Sequence, residues 1–443
     1  MERIAQLITD LTEYDTILDS VRNRKTPVEV TGLSPIHKAN LAAALAGQLH
    51  RQAVVICPDE LACDRMARDL EAFSDRAVAI LPTREFIFHN IESSSREYEH
   101  KRISVLCDLA AGKKTVVTTI PALLMAAMPP EQLKQATFTI DFNGEYDTDE
   151  LVKQLVLAGY RRCMQVEGEG QFSLRGGILD IFVPGEGNPV RIEFFGTEVD
   201  TMSYFDIGSQ RRTRSLEKLV CLPNMEVLPT LAPDGVDGLI ARIEKMIASR
   251  SKKHPDLDRN LRRDIERLRN DGIFPAADKY LPYIYPELSC AADYIPEDAM
   301  VFVDDFRGAR EAARVFDLRM KEDIEALLER GQLYGKQAVY HKTLPEAMET
   351  LAQHPMVYLE TFLSSVPECP PKAIADIMAK QLPPYSGNVA AAASDIRAYQ
   401  DMDYRVIVLC SGEMRRTTMK EMLEEQGVSA RVTDRLPAWN ILP

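Results

Sequence analysis

The sequence predicts an α/β protein built from a parallel-sheet domain, an α+β unit inserted into it, and a small C-terminal α/β domain. Three observations carry this. Short apolar runs alternate with helical stretches through roughly the first 135 residues. Strand patterns then follow one another from about 163 to 205 with only turns between them. Strand–helix alternation resumes near residue 300. At 443 residues the chain is too long for one core, and about 100–200 residues per domain gives three or four domains.

Val28-Glu29-Val30 precedes a predicted helix from about Lys38 to His50, and Ala53–Cys57 a helix from Glu60 to Phe73. Ala77–Leu81 is a third strand and Lys114–Thr118 a fourth, after a helix near Lys101–Leu109. This βαβ order predicts a parallel, doubly wound sheet. The character changes near Thr137. Residues 147–158 read as a helix, with Asp147 and Glu150 spaced as a capping box and Gly159 as the stop. Strands are expected at about 163–166, 171–175, 178–183, 190–195 and 198–205, ending near Pro223. Residues 236–270 read as charged helix, including Arg250-Ser251-Lys252-Lys253, with the mixed signs of a solvated face. Met300–Val303 is a strand, Arg307–Glu329 a long helix and Pro355–Glu360 a further strand. A Pro- and Ser-rich linker over 364–388 leads to strands at Ile396–Ala398, Tyr404–Cys410 and Ser429–Val432 around a helix at Glu413–Gln426.

Composition narrows the function. A net charge of −14 gives no global attraction to nucleic acid and makes protein partners the first expectation. No apolar run reaches the ~20 residues needed to span a bilayer, and Met1-Glu2-Arg3 begins no signal peptide, so a cytoplasmic protein without a membrane partner is expected. The eight cysteines contain no CxxC pair, which predicts free, mostly buried thiols, and the seven histidines show no metal-ligand spacing.

Two places carry chemistry. After the first strand, Gly32 and Lys38 have the spacing of a phosphate-binding loop, in which glycines let backbone N–H groups wrap phosphates, Lys meets the outer phosphates and a hydroxyl binds Mg²⁺. Here the second glycine is His37, the hydroxyl is Ala39, and Pro35 removes an N–H donor. The pattern reads as a degenerate loop. The matching acidic motif is Asp304-Asp305 at the end of the strand Met300–Val303, read as a strand end with two solvated carboxylates, and ATP hydrolysis is excluded. The second place is Val190-Arg191-Ile192-Glu193-Phe194-Phe195. Alternation sends Val190, Ile192 and Phe194 to a core face and Arg191, Glu193 and Phe195 to the other, with Phe195 about 13 Å from Arg191. In the preceding hairpin Phe172 and Leu174 point inward and Arg175 outward, just before Gly176-Gly177. Arginines and large aromatics are the residue types of interface hot spots. The pattern leaves two readings open: a docking face, or a Phe195 packed under a loop with arginines in surface ion pairs.

The stretch Gly159-Tyr160-Arg161, Gln165-Val166, Gly168-Glu169-Gly170-Gln171-Phe172, Arg175-Gly176-Gly177-Ile178-Leu179-Asp180-Ile181-Phe182 and Arg191-Ile192-Glu193-Phe194-Phe195 resembles the transcription-repair coupling factor (Mfd) family. Glu198-Val199-Asp200, Phe205-Asp206, Ser209-Gln210-Arg211, and Leu81-Pro82 with the Glu92 to Arg102 region extend the likeness. It is strongest over 159–211 and weakest beyond about 370. The resemblance implies a module similar to the excision-repair subunit UvrB. Residues 1–136 and 224–366 would form the two parts of a helicase-like domain, 137–223 an inserted UvrA-binding domain, and 367–443 a linker and small α/β domain. The family's UvrA contacts match Arg175, Arg191 and Phe195, which tips the open choice towards docking.

The expected function is therefore non-catalytic: recruitment of UvrA to RNA polymerase stalled at DNA damage, in transcription-coupled nucleotide excision repair. No cofactor is expected for this stretch. In the family, ATP and Mg²⁺ belong to a later motor region, expected with the RNA polymerase and DNA contacts beyond Pro443, and a C-terminal domain can mask the UvrA face. The alternative is an ATP-dependent DNA helicase or damage-loading factor like UvrB, favoured by Lys38 and opposed by His37 and Ala39. A third reading is DNA contact through the basic helices near 250–270.

Overall fold

A computed structural model describes residues 6–88, 96–248, 255–334, 338–378, 382–410 and 412–433. The Arg250–Lys253 charge run and part of the Glu92 to Arg102 motif lie outside the described residues.

Strands β1 (Val28–Thr31), β2 (Ala53–Cys57), β3 (Val78–Leu81) and β4 (Thr115–Thr119) alternate with helices Pro35–Gln48, Glu60–Phe73 and Glu97–Ala110. The order then passes through β5 (Ala126–Ala127), β6 (Phe138–Asp141), β7 (Arg161–Arg162), β8 (Gln171–Arg175), β9 (Ile178–Phe182), β10 (Val190–Phe195), β11 (Glu198–Phe205), β12 (Arg212–Ser215), β13 (Lys218–Cys221) and β14 (Ser289–Cys290). It closes with β15 (Met300–Asp304), β16 (Met356–Leu359) and β17 (Ala373–Asp376). The main sheet has seven strands in the order β17-β1-β16-β15-β2-β4-β3, every pair parallel. Its central strands are buried on both faces, as helix-covered parallel sheets require. Val54 and Ile56 enter one core while Val55 and Cys57 enter the other, so the pleat divides a continuous apolar run between two helix layers.

Between β5 and β14 the chain builds a second, six-stranded sheet in the order β12-β11-β10-β9-β8-β7, antiparallel except for β7 beside β8. β6 and β13 pair antiparallel, Phe138 opposite Cys221, and draw the entry and exit of this unit together. Its inner face carries Phe172, Leu179, Ile181, Val190 and Ile192 in one buried cluster with Leu151 and Leu155 of the helix Thr148–Leu157. Asp147 caps that helix, accepting from the Asp149 and Glu150 N–H groups, while the Glu150 carboxylate turns to Lys153 instead of closing a capping box.

Buried charge gathers where the chain leaves the second unit, just past β13. Arg102, fully buried, meets Glu226 at 3.0 Å, Arg84 reaches Glu226 at 3.4 Å and Asp278 at 2.7 Å, and the Glu226 N–H donates to Glu99. Nearby, His100 holds Glu169 of the second unit at 2.8 Å and approaches the Asn224 carbonyl at 3.1 Å. Losing one member of such a buried set costs about 3–5 kcal/mol, because it strands its partners without water.

Several expectations change. The strand expected at 163–166 is the two-residue β7 at 161–162. Residues 373–376, read as part of a linker, form the edge strand of the main sheet, pairing in parallel with β1. Ile396–Ala398 lies inside the helix Val389–Asp401, and 404–410 and 429–432 form no strand. The last described residues instead pack the helices Val389–Asp401 and Glu413–Glu425 through Ala393, Leu423 and Val428. An apolar run specifies burial or extension, but a strand also needs a neighbour for its backbone groups, and the described residues offer none there. Among the described residues no helix is long and apolar enough to cross a membrane.

Candidate functional site

The phosphate-loop residues come together at the C-terminal edge of the main sheet, where α/β proteins bind ligands. Lys38 and Asp304, 266 positions apart, form a nearly buried ion pair at 2.5 Å. Asp304 is thus covered and paired, and Asp305 takes a left-handed conformation at φ +53 and caps the helix Phe306–Glu329 through the Gly308 N–H. Neither is the free, solvated carboxylate expected from the sequence.

The loop itself is closed. Pro35 opens the helix Pro35–Gln48, so His37 and Lys38 already lie in its first turns. The Gly32 and Leu33 N–H groups donate to the Thr361 and Glu360 carbonyls, both at 3.2 Å. From the other side the Ile377 N–H donates to the Thr31 carbonyl. A Cβ on Gly32, at φ +78, would come within 2.1 Å of the Ile377 oxygen. The His37 ring bonds the Ser34 hydroxyl at 2.7 Å, and its partial burial lowers its pKa. Ala39 is fully buried in the sheet core. A cavity of about 510 Å³ remains beside Lys38, lined by Glu360, Thr361, Asp305 and the exposed Phe362 and Leu363. Burial pushes the Glu360 carboxyl up to about 7. The amides that would cradle a phosphate already serve the protein's own carbonyls.

The outer face of the second sheet is different. Register places Ser173, Asp180, Arg191 and Ser203 in one row across β8 to β11. Asp180 is almost completely buried although its strand position faces outward. Arg191 grips it with two bonds, Nε to Oδ1 at 2.7 Å and Nη2 to Oδ2 at 2.9 Å, and Arg175 reaches the same Oδ2 at 2.8 Å. Arg191 also donates to Gln210 Oε1 at 2.9 Å and lies over the buried Phe205 ring, 4.4 Å from its centroid. The hydrogen bond to Asp180 raises the Arg191 pKa further. Two residues along β10, Glu193 pairs with Arg212, whose hydrogen bond lowers the Glu193 carboxyl pKa. Phe195 ends the strand with 83% of its surface exposed. The hairpin Gly176-Gly177, with Gly176 at φ +59, runs beside it, Phe194 N–H donating to the Gly177 carbonyl at 2.8 Å.

Arg175, Arg191 and Phe195 therefore share one face, as alternation required, but unequally. The Arg175 side chain is half-exposed, whereas only 16% of the Arg191 side chain is open. The arginines form ion pairs, as the second reading expected, but the phenyl ring is not packed under a loop. Sequence reasoning missed Asp180 and Gln210. The available signal was an Asp in an otherwise apolar strand, in register with Arg191.

Comparison with known proteins fits this geometry. Residues 138–226 match the UvrB interaction domain family, a span that begins with β6 and ends just past β13. Over 98% of its length the chain is 26% identical to the transcription-repair-coupling factor of Bacillus subtilis, covering 37% of that protein. It is 27% identical over 90% of its length to the Staphylococcus haemolyticus protein of the same name, covering 34% of it. The chain is a relative of the transcription-repair-coupling factors. It spans about a third of the length of the curated relatives it matches. The UvrB interaction domain thus carries Arg175, Arg191 and Phe195 on the outer face of its sheet, and the closed phosphate loop lies outside it, in the main sheet domain.

Proposed function

We propose that this chain is a non-catalytic recruitment module of transcription-coupled nucleotide excision repair, docking the excision-repair subunit UvrA on the outer face of its UvrB interaction domain. Residues 138–226 carry the UvrA-binding role. The main sheet, built from chain on both sides of them, is a helicase-like support with no ATPase activity. In the longer protein, RNA polymerase and DNA are engaged by other regions, where the ATP-driven motor also lies. The observation that carries this reading is Phe195, left 83% in water at the end of β10 on the same sheet face as two arginines that share one carboxylate. A folded chain leaves a large aromatic in solvent on a face that also carries ordered guanidiniums most usefully where another protein covers it. The self-occupied amides of the loop at Gly32 and Leu33 support the non-catalytic part. Pull-down of purified UvrA by this chain, with an Arg175→Ala, Arg191→Ala, Phe195→Ala triple variant as control, tests it. Capture by the parent and loss in a still-folded variant is the expected result. Equal capture by both refutes the site.

A further inference from the structure

Two arginines on strands one apart, β8 and β10, need a reason to stay together, since like charges repel and long side chains lose entropy when fixed. Asp180 supplies it. It stands on β9 between β8 and β10, directly opposite Arg191 and diagonal to Arg175, and both guanidiniums meet on its Oδ2. The carboxylate is sealed from water, with 2% of its side chain exposed, so these bonds are not exchanged for hydration. The loop after β11 closes the arrangement: Asp206 accepts from the Ser209 N–H, and Gln210, held at φ +58, brings its side-chain oxygen to Arg191. Phe205 supports the guanidinium from below.

We infer that Asp180 is a positioning residue for partner docking: it touches no partner itself, but sets the spacing and orientation of the Arg175 and Arg191 guanidiniums, with Gln210 as the second anchor of Arg191. The inference rests on the docking reading above, yet makes a claim of opposite sign to simple charge counting. The cluster carries two positive charges and one negative. If net charge drove docking on an acidic partner surface, neutralising Asp180 would tighten binding. If orientation drives it, the same change weakens binding.

The test is titration of the full chain with purified UvrA by calorimetry. Asp180→Asn keeps the size of the side chain and removes the charge that holds both arginines. It is expected to raise Kd at least tenfold, and a lowered Kd would overturn the inference. In an Arg191→Ala background the same change is expected to weaken binding by no more than about threefold, because half of what Asp180 positions is already gone. An equal loss in both backgrounds marks a merely structural role and overturns it. Gln210→Asn, which suits the left-handed backbone there but falls short of Arg191, covers the case of a poorly folding Asp180→Asn chain. It is expected to raise Kd a few-fold at unchanged melting temperature, and no change in Kd would refute the anchoring. Independently of any partner, the Arg191 Nε–H resonance of a ¹⁵N-labelled chain is expected to be protected from exchange in the parent and to lose protection in Asp180→Asn. A parent that shows this protection but binds no UvrA would sink the docking reading while leaving the anchor intact. Absent protection in the parent would sink the anchor.

Discussion

Replacing Phe195 with Ala separates docking from folding more cleanly than any other change in the chain. A phenylalanine buries about 150–250 Å² when fully covered. Since 83% of Phe195 is exposed, roughly 120–200 Å² remains for a partner to cover. At about 25 cal/mol per Å² that is an upper limit of about 3–5 kcal/mol. Part of it survives in the alanine, and coverage at interfaces is incomplete, so about 2–3 kcal/mol is the expected loss, in the range of hot-spot residues. That corresponds to a rise in the UvrA Kd of about 30- to 140-fold. Because the ring touches so little of its own chain, the cost to folding stability should stay within about 0.5 kcal/mol. Calorimetric titration gives the first quantity and thermal unfolding the second. A Kd within threefold of the parent refutes the docking assignment. A melting temperature several degrees lower shows that the ring supports the fold, and removes the argument from exposure.

Two further outcomes follow from the main sheet. Restoring the consensus residues by His37→Gly with Ala39→Ser should not restore Mg²⁺–ATP binding. The nucleotide would have to displace two backbone hydrogen bonds, worth about 1 kcal/mol each, and break the buried Lys38–Asp304 pair, at about 3–5 kcal/mol; a Kd below about 100 μM by calorimetry would refute the closed-loop reading. Glu360, whose carboxyl burial raises from 4.5 to about 7, should make the folded chain lose stability as pH rises through that window, because the folded state then holds a proton that the unfolded chain gives up. The effect is at most about 3 kcal/mol. Glu360→Gln keeps an acceptor for the Phe306 N–H and cannot ionise, so its melting temperature should fall less than the parent's between pH 5 and pH 8, and equal falls would show that Glu360 carries no such charge penalty.

The parts of the fold that were legible in the sequence are those fixed by period and punctuation. The run Val54–Cys57 is apolar at every position, and it is buried on both faces of a parallel sheet. Val190–Phe195 alternates, and its outer and inner residues fall as alternation demands. The failures share a cause. Residues 373–376 pair with β1, more than 340 positions away, and no local pattern announces a partner that distant. Tyr404–Cys410 has the composition of a strand without a neighbour to pair with among the described residues. Asp304 looked solvated because its ion-pair partner lies 266 positions upstream, and Asp180 went unnoticed because its partners Arg191 and Arg175 lie on the two strands beside it and the Gln210 loop follows two strands later.

Both candidate sites bring cations to a carboxylate, and the contrast between them is what favours docking over catalysis. At the phosphate loop Lys38 is satisfied by Asp304, the Gly32 and Leu33 amides by carbonyls, and Asp305 by the helix it caps. Opening that site costs bonds that a ligand must replace. On the second sheet the charges are also satisfied, so the guanidiniums are fixed before any partner arrives and less rotamer entropy is left to lose on contact. Phe195 still faces water, and covering it displaces that water without breaking any bond within the chain. A site whose polar groups are ordered in advance and whose apolar group still faces water gains free energy when a surface closes over it, whereas a nucleotide at the phosphate loop must first break the bonds that close it.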